Sequence, residues 1–289
     1  MTELVDVETG RKAAMTQQPA GEPWVRLEDV TFSYPNGTQA IGRTSFEIAE
    51  GSIVGIVGPS GCGKSSLLSL LSGINEPTSG RVVFSDDPAG SGARRHPMSM
   101  VFQKDTLLPW LTVEQNVQMY QRFTKRRRRG SNDLVDELLE LASLTAFRGA
   151  YPYQLSGGMR RRVAFLTAMA AEPRGLLLDE PFSALDEPTR LAIHQDVLDI
   201  IRRQGTTVVL VTHDLAEAIS LCDEVLILTN RPGTIAARHE VPFGRERDVL
   251  GLRQRADFLE LTGELWTELS RQIKRSQEQL LEQEQEAIS

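Results

Sequence analysis

Two kinds of short apolar segment, both typical of β-strands, occur before residue 103 and after residue 174. Residues 24–34 alternate between apolar and polar, as in a strand with one buried face. Uninterrupted apolar runs at residues 52–57, 175–178 and 206–211 are typical of strands that are covered on both faces. Shorter strands are predicted at residues 44–48, 81–85, 99–102 and 224–229. This pattern predicts an α/β core with inserted subdomains.

After residue 103 the apolar spacing changes to three or four residues, the period of a helix. Helices are predicted at residues 112–123, 133–146 and 160–171. The first two belong to an inserted helical subdomain at about residues 105–160. The basic run at residues 125–129 lies between them. It is predicted to be a solvated loop, which is favoured over a site for an anionic partner such as lipid headgroups.

The two ends of the chain differ from the core domain, which is expected at residues 23–243. Residues 1–22 are polar without an apolar period and are expected to be a disordered tail. Residues 244–289 are predicted to form an amphipathic helix that fades into a Gln/Glu-rich polar tail. The apolar positions of that helix are predicted to share one face; they are Phe258, Leu261, Leu265, Trp266, Leu269 and Ile273.

The charge balance restricts the possible partners. The 289 residues carry 32 basic and 39 acidic side chains, a net charge of -7, which argues against a nucleic-acid partner. No apolar run approaches the roughly 18 residues that span a bilayer, and no secretory leader opens the chain, so a cytosolic location is expected. Cys62 and Cys222 form no disulfide framework. Cys62 lies at a helix start that can lower a thiol pKa, but a small filler of the loop is the favoured interpretation.

The sequence G-P-S-G-C-G-K-S-S at residues 58–66 joins an apolar strand to a helical pattern. Its glycines allow successive backbone N–H groups to converge on an anion, and the helix N-terminus adds a partial positive charge. Lys64 is placed to reach the terminal phosphates of a nucleotide, and Ser65 to ligate Mg²⁺. The candidate phosphate-binding residues are Gly58, Pro59, Ser60, Gly61, Cys62, Gly63, Lys64, Ser65 and Ser66.

Candidate catalytic side chains follow other predicted strands. Adjacent acids at a buried strand end are costly unless charge or chemistry needs them. Asp179 is therefore predicted to hold the Mg²⁺ shell and Glu180 to face a water molecule. Gln103 and His213 also end apolar strands. A lone histidine usually has only a packing role. At a strand end in a fold with a phosphate-binding loop, however, His213 is expected to face the phosphate site.

A second helix start that can face an anion lies in L-S-G-G-M at residues 155–159. Ser156 is a helix-cap residue type, and Gly157 and Gly158 allow close backbone approach. Further along the chain, S-A-L-D at residues 183–186 leads into a helix predicted at residues 188–203.

This ordered set of motifs resembles the ATP-binding cassette (ABC) ATPase family. The resemblance covers residues 24–241 and rests on Tyr34, G-P-S-G-C-G-K-S-S, Gln103, L-S-G-G-M, L-L-L-D-E-P, S-A-L-D and His213. It implies an α/β fold: a P-loop NTPase core with a mostly parallel sheet, an antiparallel β subdomain and an inserted α-helical subdomain. It also implies an ATPase that uses ATP and Mg²⁺ and that works as a head-to-tail pair of cassettes, expected to be a homodimer.

The resemblance assigns a role to each motif residue. Tyr34 would stack on adenine, Gln103 would sense Mg²⁺ and the attacking water, Glu180 would be the catalytic base and His213 would contact the γ-phosphate. The implied catalytic set is Lys64, Gln103, Glu180 and His213, and the implied metal set is Ser65, Gln103 and Asp179. Besides residues 58–66, the implied nucleotide-binding residues are Tyr34, Ser156, Gly157, Gly158 and Asp186. The glycines and Ser156 of one chain would close over ATP held by the other chain.

Four positions depart from the family's commonest pattern: Ser66, Arg161, Thr167 and Gly175. None of them removes a catalytic group, so the site is expected to be competent. Gly175 is expected to weaken its strand by roughly 0.5–1 kcal/mol relative to alanine.

Two weaker stretches, at residues 106–113 and 229–235, look like the cassettes of nitrate, sulfonate and taurine importers. They imply an ATPase at the cytoplasmic face of the membrane, with separate permease subunits and an indirect extracytoplasmic binding-protein partner. A soluble cassette ATPase and a non-hydrolytic regulatory subunit are the alternatives. Trp110 is predicted to line the cleft that receives a permease helix, and a place in a small core is the alternative.

Overall fold

The computed structural model describes residues 23–85, 98–104, 106–120, 131–183 and 185–288. Two predictions lie outside the described residues: the disordered tail at residues 1–22 and the basic run at residues 125–129. No helix in the described ranges is long and apolar enough to cross a membrane.

The described strands form two sheets. Their bounds are β1 Pro23–Ser33, β2 Gln39–Ala49, β3 Ile53–Val57, β4 Ser79–Phe84, β5 Met98–Val101, β6 Gly175–Asp179, β7 Thr207–Val211, β8 Glu224–Leu228 and β9 Ile235–Glu240. The smaller sheet is antiparallel, with the order β2-β1-β4. The larger sheet has the order β5-β6-β7-β3-β8-β9, and only β9 pairs antiparallel in it.

The larger sheet is buried because apolar layers cover both of its faces. Successive side chains of β3 point to opposite sides, so Val54 and Ile56 pack with the smaller sheet while Ile53 and Val57 pack with the helices. This two-sided burial explains why the central strands are continuous apolar runs. The predicted α/β core, with a mostly parallel sheet and an antiparallel β subdomain, is confirmed.

The register of the larger sheet places the strand ends together. Val211 of β7 pairs with Ile56 of β3 on one side and with Asp179 of β6 on the other. Because these strands are parallel, the residues that follow them meet at one edge. The loop after Val57, the acids after Leu178 and the histidine after β7 are therefore neighbours.

The described helices surround the larger sheet. They are α1 Lys64–Leu71, α2 Val113–Val117, α3 Ser131–Leu141, α4 Gly157–Met169, α5 Glu187–Gln204, α6 Leu215–Leu221, α7 Val249–Leu252 and α8 Ala256–Ile288. The helix predicted at residues 112–123 begins as expected, with Thr112 and Gln115 forming a capping box. It is interrupted at Gln118, the C-cap of α2, so the prediction of one continuous helix is wrong.

The C-terminal helix α8 corrects two predictions. Phe258, Leu265 and Leu269 are buried as expected, but the side chain of Trp266 is 57% exposed, because a residue next to Leu265 is turned about 100° from the buried face. The helix also continues to Ile288, where a polar tail was expected. Glutamine, glutamate and leucine are good helix formers, which is consistent with this extension.

Candidate functional site

The loop between β3 and α1 has the backbone shape of an anion cradle. Gly61 and Gly63 have positive φ angles of 75° and 109°. A Cβ atom at Gly63 would lie 2.6 Å from the carbonyl oxygen of Ala40, so only glycine fits there. Lys64, the first residue of α1, is buried and donates hydrogen bonds to the carbonyl oxygens of Gly58 and Pro59 at 2.9 and 3.0 Å. The lysine ammonium group is thus held over the loop.

Cys62 is fully buried inside this loop, and its sulfur would lie 2.9 Å from a Cβ atom at Gly58. Burial raises the pKa of the Cys62 thiol, and the nearby Lys64 opposes this only in part. The thiol is therefore a packing group, in agreement with the favoured interpretation and against a lowered pKa.

The hydroxyl of Ser65 and the carboxylate of Asp179 face each other across the strand ends. The Ser65 hydroxyl donates to Oδ1 of Asp179 over 3.2 Å. Burial raises the pKa of Asp179, the Ser65 hydrogen bond lowers it, and the neighbouring Glu180 raises it again. Serine hydroxyl and carboxylate oxygens are ligands that a hard divalent cation accepts.

Tyr34 and Ser66 are in direct contact. The Tyr34 hydroxyl lies 2.8 Å from Oγ of Ser66, while the ring of Tyr34 packs edge-on against Phe32 and is 40% exposed. The ring therefore keeps an accessible surface at the mouth of the loop, as a base-stacking residue requires. The Ser66 side chain is buried against the tyrosine.

Glu180 is the centre of a group of polar side chains. Its Oε2 atom accepts a hydrogen bond from Nε2 of Gln103 at 3.2 Å and lies 3.3 Å from Nδ1 of His213. Nε2 of Gln103 also lies 3.5 Å from the hydroxyl of Ser183, which the sequence analysis did not assign to the site. The strand ends β5, β6 and β7 thus bring together three of the four candidate catalytic residues.

The backbone at Glu180 is unusual, and this aims its side chain. Glu180 has φ 45°, a left-handed conformation that non-glycine residues seldom adopt. Its N–H donates to the carbonyl oxygen of Val211 at 2.9 Å, which continues the pairing between β6 and β7. Strain of this kind persists where surrounding contacts impose it, commonly at functional sites.

A buried carboxyl group supports the turn that carries His213. Thr212, the residue before it, donates from its hydroxyl to Oε2 of Glu217 at 3.1 Å and accepts from the N–H of Asp214 at 3.0 Å. Burial and the nearby Asp214 raise the pKa of Glu217 from 4.5 to about 8. Oε1 of Glu217 has no hydrogen-bond partner among the described residues, which suits a neutral acid.

Replacing Glu217 by glutamine should therefore remove a pH dependence of stability. Between pH 4.5 and about 8 the folded state holds a proton that the unfolded state has released. Stability contributed by this group is complete below pH 4.5 and is lost as pH rises to about 8. We expect the free energy of unfolding of Glu217→Gln to exceed that of wild type increasingly over this window. Urea unfolding at several pH values measures it, with the exposed Glu260→Gln as control; parallel pH curves for wild type and Glu217→Gln would contradict it.

The second glycine-containing helix start is formed by other elements than the loop at residues 58–66. Ser156 is the N-cap of α4, and its hydroxyl accepts from the N–H of Met159 at 3.2 Å. A Cβ atom at Gly158 would lie 2.6 Å from Thr189, whose N–H and hydroxyl donate to the carboxylate of Asp186. Ser156, Gly158 and Asp186 are thus grouped together. Within the described part of the chain, no hydrogen bond joins these residues to the loop at residues 58–66.

The structure adds a residue that sequence reasoning missed. It contacts the loop at residues 58–66 from the side of β8, whereas His213 follows β7 on the other side of β3. Nε of Arg231 donates to the carbonyl oxygen of Gly61 at 3.1 Å, and a Cβ atom at Gly233 would lie 2.2 Å from the carbonyl oxygen of Cys62. Both residues follow β8, which pairs in parallel with β3. The available signal was R-P-G after an apolar strand, since parallel neighbours end at the same edge.

Comparisons with known proteins agree with this arrangement. Residues 41–183 match the family model described as ABC transporter. Over 207 residues the chain is 44% identical to the taurine import ATP-binding protein TauB of Burkholderia pseudomallei (strain 1710b), covering 71% of this chain and 78% of that protein. Over 238 residues it is 38% identical to the aliphatic sulfonates import ATP-binding protein SsuB 1 of Pseudomonas aeruginosa (strain UCBPP-PA14), covering 81% and 92%.

A solved structure gives the same result. The dimeric post-hydrolysis structure of the ATP-binding cassette MJ0796 bound to ADP and Pi is 31% identical, with a TM-score of 0.63, and covers 76% of this chain and 100% of that one. The chain therefore belongs to the ABC transporter family and is an ATP-binding cassette ATPase.

Proposed function

We propose that Glu180 is the base for ATP hydrolysis in this chain. The observation that carries the proposal is the convergence of Gln103 and His213 on one carboxylate oxygen of Glu180. In the reaction, water attacks the γ-phosphorus, the bond from this phosphorus to the bridging oxygen of ADP breaks, and Glu180 takes the water proton. Gln103 orients the water, His213 contacts the γ-phosphate, and Lys64 leaves its loop carbonyls to bind the terminal phosphates. Turnover of ATP by Glu180→Gln, considered in the Discussion, tests this assignment.

Mg²⁺ fits the polar groups beside this carboxylate. Ser65 and Asp179 offer a hydroxyl and a carboxylate oxygen in contact, and the amide oxygen of Gln103 is a third oxygen donor. These residues would hold the ion together with nucleotide phosphates and water, which is the usual environment of Mg²⁺. The ion would neutralise charge on the phosphate oxygens.

The nucleotide site is proposed to form between two chains. The group of Ser156, Gly158 and Asp186 belongs to α4 and α5, whereas the phosphate loop belongs to β3 and α1. A single nucleotide uses both groups when two identical chains pair head to tail, the loop of each facing the helix start of the other. Tyr34, with its accessible ring, stacks on adenine in this arrangement.

The transported molecule is proposed to be a small organic or inorganic anion of the taurine, sulfonate or nitrate type. The support is the identity to TauB and SsuB 1, which extends over most of the chain. The cassette pair acts at the cytoplasmic face of the membrane on separate permease subunits, which an extracytoplasmic binding protein supplies. Uptake of labelled taurine, alkanesulfonate and nitrate by cells with and without the gene tests this class.

The coupling surface is proposed to include Trp110. Its side chain is 68% exposed, so the alternative of a small core is wrong. The loop that carries it is nevertheless fixed: Asn116 is buried, accepts from the N–H of Leu108 and donates to the carbonyl oxygens of Leu108 and Leu111. A large exposed aromatic side chain on a loop held by these hydrogen bonds, seven residues after Gln103 in the sequence, is suited to anchor a permease helix.

Trp110→Ala should separate transport from basal hydrolysis. Removing an exposed ring leaves the core intact, so we expect a melting temperature and a basal ATPase rate close to wild type. Uptake and substrate-stimulated turnover in the assembled transporter should fall at least about tenfold, the effect of losing an interface anchor of roughly 1.4 kcal/mol or more. Trp266→Ala on α8 is the matched control. Wild-type uptake by Trp110→Ala would remove this residue from the coupling surface.

A further inference from the structure

Arg161 joins the helix α4 to the backbone that carries Gln103. Its Nη1 atom donates to the carbonyl oxygen of Phe102 at 3.0 Å, and its Nη2 atom donates to the carbonyl oxygen of Gln103. The arginine side chain is buried, with 5% of the residue exposed. Two adjacent carbonyl oxygens are thus satisfied by one planar guanidinium group.

The two carbonyl groups lie just beyond the end of strand β5, where sheet pairing no longer fixes the backbone. Strand β5 ends at Val101, so the pairing of β5 with β6 no longer holds Phe102 and Gln103. Beyond that point the amide of Gln103 still reaches Oε2 of Glu180 over 3.2 Å. The guanidinium of Arg161 therefore fixes the main chain from which this amide extends.

The other end of the same helix is the group proposed to meet a second chain. Helix α4 begins after its N-cap Ser156, and Arg161 lies five positions further, little more than one turn. A rigid helix carries a movement at Ser156 directly to the guanidinium. From there two hydrogen bonds lead to the backbone carbonyls of Phe102 and Gln103, and one more leads from the amide of Gln103 to Glu180 of the same chain.

We propose that Arg161 is a positioning residue that couples helix α4 of a chain to Gln103 of that chain. Docking of Ser156, Gly157 and Gly158 on the nucleotide of the partner then holds Gln103 in its place beside Glu180. Closure of each nucleotide site in the pair therefore speeds hydrolysis at the other. This inference rests on the proposed function and adds the connection between the two sites.

The chain offers matched variants for a test. Arg161→Met keeps the apolar stem and removes all donors, whereas Arg161→Lys keeps one charged donor but cannot serve both carbonyls. Arg162→Met is the control on the same helix, since Arg162 pairs with Asp196 on α5 over 3.0 Å and does not bond the Gln103 backbone. Turnover number, KM for ATP and melting temperature are measured for all three full-length variants. ATP-dependent dimerisation is measured with Glu180→Gln added.

We expect the turnover number of Arg161→Met to fall about tenfold or more, the order of effect of losing a charged hydrogen bond. KM should stay within about twofold of wild type, because the phosphate loop is unchanged. The Glu180→Gln dimer should still form with Arg161→Met, Arg161→Lys should recover part of the turnover, and Arg162→Met should match wild type. A structural role alone would not produce retained dimerisation with lost turnover.

Other results would overturn the inference. They are wild-type turnover in Arg161→Met, an equal loss in Arg162→Met, or no recovery in Arg161→Lys. If Arg161→Met fails to fold, Arg161→Lys decides: reduced turnover with an unchanged KM supports the inference, and wild-type turnover or unfolding overturns it. An inactive wild-type chain would instead refute the proposed function, and the inference with it.

Discussion

Glu180→Gln should bind ATP and fail to turn it over. Glutamine fills the same space and can still contact Gln103, but it cannot accept a proton at neutral pH. Loss of a positioned general base lowers the rate by about 10²–10⁴-fold, or roughly 3–6 kcal/mol of barrier. Phosphate release measures the turnover, and fluorescent-nucleotide titration measures the binding.

Glu187→Gln is the appropriate control for this variant. Glu187 lies in the first turn of α5 and pairs with Arg190 and Arg253, not with Gln103 or His213. Phosphate release by Glu180→Gln at the wild-type rate would show that another group takes the proton. A loss of nucleotide binding in the same variant would show that the substitution damages the cradle itself.

Two inactive variants should restore activity when they are mixed. Lys64→Ala removes the ammonium group from the phosphate loop, and Ser156→Arg places a bulky cation at the start of α4. In a mixed pair one site has both defects and the other has neither, because the loop of one chain faces the helix start of the other. With random pairing about a quarter of all sites are intact, so at most about a quarter of the wild-type turnover is expected to return. The coupling through Arg161 lowers this value, because the doubly defective site of the same pair does not close.

The mixing experiment has its own control. Each variant is assayed alone at the total chain concentration of the mixture, and each should show at most about one hundredth of the wild-type rate, given a loss of roughly 3 kcal/mol or more. Circular dichroism confirms that both chains are folded. Mixtures that stay as inactive as the separate variants would mean that each chain completes its site alone.

The sequence identified most of the candidate site because its residues stand at strand ends. Gln103, Asp179 and His213 each follow an apolar run, and parallel strands finish at a common edge. Alternation and run length are enough to locate such positions. The order of the strands in the sheet is not needed to make such a prediction.

Contacts between residues that are far apart in the sequence cannot be predicted from the local pattern of residues. Gly175 seemed a weakness in its strand, yet a Cβ atom there would lie 2.6 Å from the ring of Trp24, so the glycine makes room for a buried indole from the other sheet. Arg161 was noted only as a departure from a common pattern. Its contacts become visible only in the folded chain, because the fold brings α4 against residues that precede Arg161 by almost sixty positions.

The apolar spacing predicted the details of the helices less accurately than the apolar runs predicted the ends of the strands. The apolar spacing placed Trp266 beside the buried face of α8, but Leu265 occupies that face and the indole points outward. At residues 112–123 the spacing suggested one helix and did not reveal the interruption at Gln118. Periodicity identifies that a helix exists, whereas its edges depend on capping and packing.

The mass of Glu180→Gln in solution tests the shared nucleotide site most directly. Light scattering after size-exclusion chromatography, with Mg²⁺ and either ATP or ADP, reports whether the nucleotide joins two chains. We expect twice the mass of one chain with ATP and the mass of a single chain with ADP, because the γ-phosphate is the group that the phosphate loop of one chain and the helix start of the other must both hold. A single-chain mass under both conditions, in a variant that binds ATP, would contradict it.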